Sequence, residues 1–403
     1  APATPTATLR TARIAAASFF FLNGIASGNW VTRIPDVQRG LRLSDGQLGF
    51  ALLGAALGAL VALPISGWLV ARYGSGRMLF AAGAGISLML PILPIAPSLA
   101  LFFLALLCYG LVFGTLEVPA NAQAVLVETA WGRPLMSSFH AMFSVGGHAG
   151  AAMGGVIAGL GVPPFLHLLA VGAALLTMTF FARPHLLPDT TTEHESDHGP
   201  IFAIPRGPLL ALGAIGFCVL LGEGAMADWS AVYLKTTLQA GATLAAAGYA
   251  IFSLTMAGGR LTGDRLTTRF GPERVVRVGG AIAGVGLGAA MLLGGIPAAL
   301  IGFACVGAGL AAVFPITMGA SGRVPGVAPS MALTAVATAG YTGFMIGPPA
   351  IGFISDHLGL RAGLGLVAAL SLVIMLLAGR VSGATVTAID DAATRPQAAV
   401  PEG

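Results

Sequence analysis

Apolar runs of roughly twenty residues, the length a helix needs to cross the hydrocarbon of a bilayer, recur along nearly the whole chain with short polar stretches between them. The first run is Ile14 to Val31. A polar loop from Thr32 to Ser44 follows it, and Ser44 is well placed to cap the next helix. Further spans are predicted near 46–70, 78–96, 99–126, 137–159 and 164–182. A polar stretch from Arg183 to Pro208 interrupts the pattern. A second set then runs near 209–234, 243–262, 275–293, 298–319, 330–354 and 361–379. The expectation is an all-α integral membrane protein with twelve transmembrane helices in two sets of six. Its parts are an N-terminal tail (1–12), a six-helix bundle (13–182), a linker (183–207), a second six-helix bundle (208–380) and a disordered tail (381–403) rich in Ala, Thr, Asp and Pro. Residues Ala1 to Thr8 lack the basic-then-apolar order of a cleaved signal.

The two sets repeat one another. Arg72-Tyr73-Gly74 after span 2 returns as Arg269-Phe270-Gly271 after span 8, at an offset of 197 (74 to 271). Asn29-Trp30 returns as Asp228-Trp229, at an offset of 199 (30 to 229). Pro119 in span 4 matches Pro315 in span 10, and Gly146, Gly150 and Gly155 match Gly343, Gly347 and Gly352. One coincidence would mean little in a chain with 58 glycines. Four blocks in the same order at nearly one offset argue for a parallel duplication of six helices.

Composition agrees with the pattern. Hydrophobic residues make up 56% of the chain and charged residues 9%, against about 25% charged in a soluble domain. Cys108, Cys218 and Cys305 lie inside apolar runs and read as small buried side chains. With the N-terminus cytoplasmic, fourteen arginines, among them Arg133 and Arg395, fall on the inner side. Only Arg33, Arg39, Arg42, Lys235 and Arg361 fall outside. This bias places both termini in the cytoplasm and makes the pI of 9.3 a topology signal. No basic wetted patch suited to nucleic acid is present.

Enzyme motifs are missing. The single lysine, Lys235, belongs to no phosphate-binding loop, and His140 and His148 are eight apart, not at the i,i+4 spacing of a helical metal pair. His194 and His198 have that spacing but sit in the acidic linker, where a disordered connector is the simpler reading. No metal or cofactor is expected, apart from a proton as coupling ion.

Chemistry concentrates where polar groups enter the spans. Gly110, Gly114, Glu117 and Asn121 fall on one helical stripe. A charge at membrane depth costs at least ~2.5 kcal/mol, so Glu117 should face a cavity or a partner. Counting along the spans puts Asn23 and Glu223 near mid-bilayer, and Glu117 there or somewhat inward. Asn29, Trp30, Asp228 and Trp229 sit closer to the outer mouth. The expected proton-coupling residues are Glu117, Glu223 and Asp228. The expected substrate-binding residues are Asn23, Asn29, Trp30, Asn121, Gln123, His140, Trp229 and Tyr341. Each has a plainer alternative. Glu117 is otherwise held in a pair with an arginine or by Asn121, and Glu223 sits between glycines that make room for a helix contact. Asp228 is otherwise a rim charge or a partner of Arg33, His140 a packing residue, and Trp30 and Trp229 interfacial anchors.

The twelve spans, the central loop and the turn Gly67-Trp68-Leu69-Val70-Ala71-Arg72-Tyr73-Gly74-Ser75-Gly76-Arg77 resemble the major facilitator superfamily. Its turn motif has the form Gly-x-Leu-x-Asp-Arg-x-Gly followed by basic residues. The acidic place is Ala71 here, a departure from the pattern. The second copy, Gly259 to Gly271, keeps a displaced Asp264. The resemblance implies the major facilitator fold and a gating role for Gly67, Arg72, Gly74, Arg77, Arg260, Asp264, Arg269 and Gly271. Leu116-Glu117 through Asn121 is similar to a segment of proton-coupled fucose permeases, in which the glutamate handles proton and sugar. A closer likeness, to an uncharacterised bacterial inner-membrane branch of that group, shows in Asn23-Gly24 through Pro35, Glu223 through Ser230, Phe139-His140 through Gly147, and Gly340-Tyr341 through Pro349. Fucose permeases also carry an aspartate near the end of span 1, a place that falls near Val31 here.

These readings give a monomeric, multi-pass protein of a bacterial inner membrane with no obligate protein partner. Its expected role is proton-coupled symport of a small polar, sugar-like solute by alternating access. A proton-antiporting exporter of amphipathic compounds and a non-transporting receptor on the same fold remain alternatives.

Overall fold

A computed structural model describes residues 7–132, 135–188 and 203–382. Arg133, Arg395, His194, His198, most of the linker and the tail from 383 onward lie outside the described residues. Among those described, the chain is helical throughout: α1 (Ala7–Leu41), α2 (Asp45–Tyr73), α3 (Ser75–Met89), α4 (Leu99–Trp131), α5 (Met136–Gly159), α6 (Pro164–Ala182), α7 (Leu209–Val232), α8 (Ala242–Phe270), α9 (Pro272–Leu293), α10 (Ile296–Leu310), α11 (Val313–Ser321), α12 (Pro329–Leu358) and α13 (Leu360–Leu377). With α10 and α11 taken as one broken span, these are twelve membrane-length elements. Eleven meet both length and apolarity for a crossing. The other, α12, is thirty residues long and is diluted by Thr334, Thr338, Tyr341, Thr342 and its glycines and prolines.

Prolines explain where helices bend, break or run on. Pro315 offers no N–H to the carbonyl four residues back, at Ala311, and the helix is interrupted between Leu310 and Val313. Pro119 likewise frees the Thr115 carbonyl, but Ser66 of α2 donates its hydroxyl to that oxygen at 2.9 Å, and α4 stays continuous. The polar loop expected from Thr32 is helical as far as Leu41, so α1 runs through Pro35. The Arg39 guanidinium donates to the Pro35 carbonyl at 3.2 Å. Ser44 caps α2 as expected, in a reciprocal box with Gln47.

Helices approach through glycine, as expected where association relies on close packing in lipid. A Cβ on Gly146 would come within 2.3 Å of the Phe21 carbonyl oxygen, joining α5 to α1. One on Gly343 would come within 2.3 Å of the Phe217 carbonyl oxygen, joining α12 to α7. The duplication thus extends from sequence to contacts, because these partners differ by 196 (21 to 217). The turns match as well. Gly74 (φ 84°) and Gly271 (φ 81°) each join two helices through one residue in a backbone region that only glycine occupies readily.

The starts of α1, α3, α5 and α7 share one face of the molecule, the termini side, and the starts of α2, α6 and α8 share the other, the far side. Among the described residues, the halves meet closely on the far side. There, a Cβ on Gly49 of α2 would lie 2.4 Å from the Pro348 carbonyl oxygen of α12, and one on Gly155 of α5 would lie 2.6 Å from Ala246 of α8. The Thr243 hydroxyl donates across to the Gly155 carbonyl at 3.2 Å.

Candidate functional site

Toward the termini side the halves part around a cavity of about 590 Å³, walled by the first half of α5, the second half of α8 and the α10–α11 break. Its polar wall includes His140, Ser144 and His148 from α5, and Arg260, Asp264 and Thr267 from α8. The remainder is apolar, with Val145, Leu254, Leu261, Pro315 and Ile316 among it. The start of α5 is fixed by Glu128, whose carboxylate accepts from the Met136 N–H at 2.8 Å and from that of Leu135. A negative charge on the free N–H groups of a helix start is favourable.

Glu223 of α7 and Arg260 of α8 form the one ion pair in this region among the described residues. The Arg260 guanidinium donates to both carboxylate oxygens at 3.2 Å, and both side chains keep contact with solvent. Arg260, expected at a gate, itself lines the cavity. The glycines beside Glu223 also serve packing, since a Cβ on Gly224 would meet the Phe344 ring at 3.0 Å and one on Gly222 would meet Leu310 at 3.0 Å. His140 stands within electrostatic reach of Arg260 across the halves, and its ring meets Phe20 edge-on at 5.2 Å.

Glu117 is solvent-accessible on α4 and has no ion pair among the described residues. Asn121 donates its amide at 2.9 Å to the Glu117 backbone carbonyl, not to the carboxylate. Tyr341 of α12, 41% exposed, lies within electrostatic reach of Glu117. The two residues belong to opposite halves. Asp228 is partly buried and does not pair with Arg33. It lies near Tyr249 of α8, whose hydroxyl is also close to Ser253, Glu223 and Ser27 of α1. Tyr249 and His148 were not among the expected site residues, although each was visible as a polar group inside an apolar run.

Other expected residues are engaged in holding helices together. Asn29 is fully buried; its amide donates to the Ile25 carbonyl at 2.9 Å and its Oδ1 lies 2.8 Å from His167 Nε2. Arg33 Nε–H donates to His167 Nδ1 at 2.9 Å, so that nitrogen is the acceptor and Nε2–H the donor. Arg33 also pairs with Asp36 at 2.8 Å and reaches the Val162 carbonyl at 3.0 Å. This chain ties α1 to α6 on the far side. Trp30 packs on Phe102 of α4 at 6.0 Å between ring centres. Gln123 is fully buried, donating to Ser75 at 2.7 Å and to the Leu187 carbonyl at 2.9 Å while accepting from Leu187 N–H at 3.1 Å. It anchors the end of the first half and stands apart from the cavity. Trp229 is wholly buried in α7. Asn23 is buried with its Oδ1 unpartnered, as are Trp229 Nε1 and Tyr109 Oη.

The remaining gating-motif residues lie at the termini-side turns. Arg72 rests over the rings of Trp68 and Tyr73 on its own helix, and Arg269 rests over Phe270. Arg77 is exposed, a Cβ on Gly67 would meet nothing within 4 Å, and Asp264 lines the cavity.

The family model described as Major Facilitator Superfamily matches residues 16–330 and 234–400. An uncharacterised MFS-type transporter of Yersinia pestis is 36% identical over 355 residues, which is 88% of this chain and 92% of that one. Among solved structures, the nucleoside transporter NupG superposes with a TM-score of 0.72 at 14% identity, covering 94% of this chain and 99% of that one. A D-xylose-proton symporter superposes with a TM-score of 0.70 at 14% identity, covering 92% and 97%.

Proposed function

The chain belongs to the major facilitator superfamily, and from that premise we propose that it carries a small polar solute across a bacterial inner membrane by alternating access, coupled to protons. One observation carries this reading. Glu117 is a solvent-accessible carboxylate on a membrane-spanning helix, without a salt-bridge partner among the described residues and within electrostatic reach of Tyr341 of the other half. Such a group is costly at membrane depth unless it works there. In the proposed cycle Glu117 takes up a proton and crosses the occluded state neutral. Protonation of Glu223 releases Arg260 from its pair, and the freed guanidinium then holds an acceptor group of the solute. Coupling arises because one event serves both ligands.

The termini side is the cytoplasmic side in this proposal, supported by the arginine bias in the loops. The cavity is then open to the cytoplasm and shut to the outside. A polar, hydroxyl-bearing solute fits the amide, phenol and acid groups, and the nucleoside transporter and D-xylose-proton symporter of like fold support that class. The apolar part of the cavity wall, Leu254, Leu261 and Ile316, favours a second reading as an exporter of amphipathic compounds. Thermal stabilisation of the purified protein by a panel of sugars, nucleosides and amphipathic cations separates the two, followed by liposome uptake of any hit under an imposed pH gradient. The proposal expects a polar hit that accumulates with the proton gradient. A hit among amphipathic cations only, driven against the gradient, would favour the exporter.

A further inference from the structure

Where the far side closes, two carboxylates cross between the halves. The Asp356 carboxylate, in the last turn of α12, accepts from the Gly46 N–H at 2.9 Å with one oxygen and from the Ser44 hydroxyl at 2.9 Å with the other. Both donors belong to the start of α2, whose first N–H groups have no partner within the helix. An anion there is stabilised by the α2 dipole, whereas the end of its own helix disfavours it. Ser44 does double work: its oxygen also accepts from the Gln47 N–H at 3.2 Å as the α2 cap. In the reverse direction, the Ser355 hydroxyl of α12 donates to the Asp45 carboxylate, which also accepts from Gln38 at 2.7 Å.

The backbones around these contacts leave no slack. A Cβ on Gly46 would lie 2.3 Å from an Asp356 oxygen, and one on Gly352 would lie 2.4 Å from the Asp45 carbonyl oxygen. Among the described residues, further side-chain hydrogen bonds between halves are Thr243 to Gly155, also on the far side, Tyr249 to Ser27, and the longer Ser253 to His148 contact at 3.4 Å. The Arg260–Glu223 pair lies within one half.

We infer that Asp356 and Asp45 are positioning residues that lock the far side shut, and that opening the cavity to that side requires both carboxylates to leave the opposite half. The lock holds the cavity open to the termini side at rest. Turnover is then limited by how readily α12 lifts from the start of α2. The inference rests on alternating access, and on no assumption about the solute or about protons.

Its test reads shape directly. In full-length protein with Cys108, Cys218 and Cys305 replaced by alanine, spin labels are placed at Arg42 and Leu358 for the far side. A second pair at Ala71 and Pro325 reports the termini side. Distances are measured in lipid nanodiscs without solute, so a failed search for a solute leaves this test intact. The parent protein should show one short far-side distance. Asp356→Ala should raise the population with a longer far-side distance at least ten-fold, with a matching shorter termini-side distance. Ser44→Ala and Ser355→Ala, which leave both carboxylates in place, should each give part of that shift and cover the case in which Asp356→Ala does not fold. Arg277→Ala, which removes the exposed pair with Glu273 inside the second half, should change neither distance. Unchanged distributions in the Asp356, Ser44 and Ser355 variants that fold would overturn the inference.

Discussion

Asn23 and Asn29 lie six residues apart on α1, yet the fold treats them in opposite ways. Asn29 is fully enclosed, with its amide on the Ile25 carbonyl and its oxygen on His167. Asn23 is also buried, but its Oδ1 has no partner, and Tyr109 Oη and His148 Nε2 share that condition. A buried polar group left unpaired costs roughly 1–3 kcal/mol, so its persistence calls for a reason, such as a ligand or water that completes the bond. Orphan atoms alone do not mark a ligand site, since Tyr233 Oη, one turn beyond Trp229, is unpaired as well. Position decides: His148 lines the cavity, while Asn29 sits in the far-side network. Asn29 is satisfied by partners within the far-side network, whereas Asn23, deeper on α1, keeps an oxygen without one.

The comparison can be broken by substitution, starting from the packing that both residues depend on. Gly24, next to Asn23, would place a Cβ 2.1 Å from the Phe143 carbonyl oxygen. Gly24→Leu should therefore yield no monodisperse protein in size-exclusion chromatography, while Gly67→Ala, in open space, should leave the melting temperature unchanged. Next in size, Asn29→Ala and His167→Ala should each destabilise the protein by about 1–3 kcal/mol, because Arg33 loses a buried acceptor or the ring loses its own. The solute KM should not move. Asn23→Ala should behave the other way, with little change in thermal stability and a KM at least ten-fold higher, equivalent to about 1.4 kcal/mol. If Asn29→Ala shifted KM while Asn23→Ala shifted only stability, the distinction would be wrong. The smallest effect is expected for Ser66→Ala, which strands the Thr115 carbonyl freed by Pro119. A loss of about 1 kcal/mol in denaturant unfolding would match that account.

Much of the fold was legible in the sequence because the bilayer imposes one period and one length on every span. The repeat was legible too, since the same glycines make the same backbone contacts in both halves. Where the first helix ends was not, because polar residues after Thr32 read as loop while α1 continues to Leu41 beneath α6. The candidate site was legible only as residue types at helical spacing. Glu117 and Glu223 stand out because acids are rare in such spans. Gln123 and Asn29 stand out equally, and which way a side chain leaves its helix depends on Ser75, Leu187 and His167, residues far away in sequence. Arg260 belonged by pattern to a turn motif, and only the fold puts it in the cavity wall and pairs it with Glu223. Asp45 and Asp356 passed unnoticed, since acids at helix ends are ordinary until the opposite half is known.

The central proposal concerns protons, and the most direct measurement is proton movement itself. Purified protein is reconstituted in liposomes containing a trapped pH indicator, and a solute identified by thermal stabilisation is added outside without an imposed gradient. The account predicts that solute entry carries protons with it in the parent protein. In Glu117→Gln and Glu223→Gln the solute should still bind, but its entry should no longer acidify the lumen. Solute-driven acidification of parental size in both variants would contradict the account.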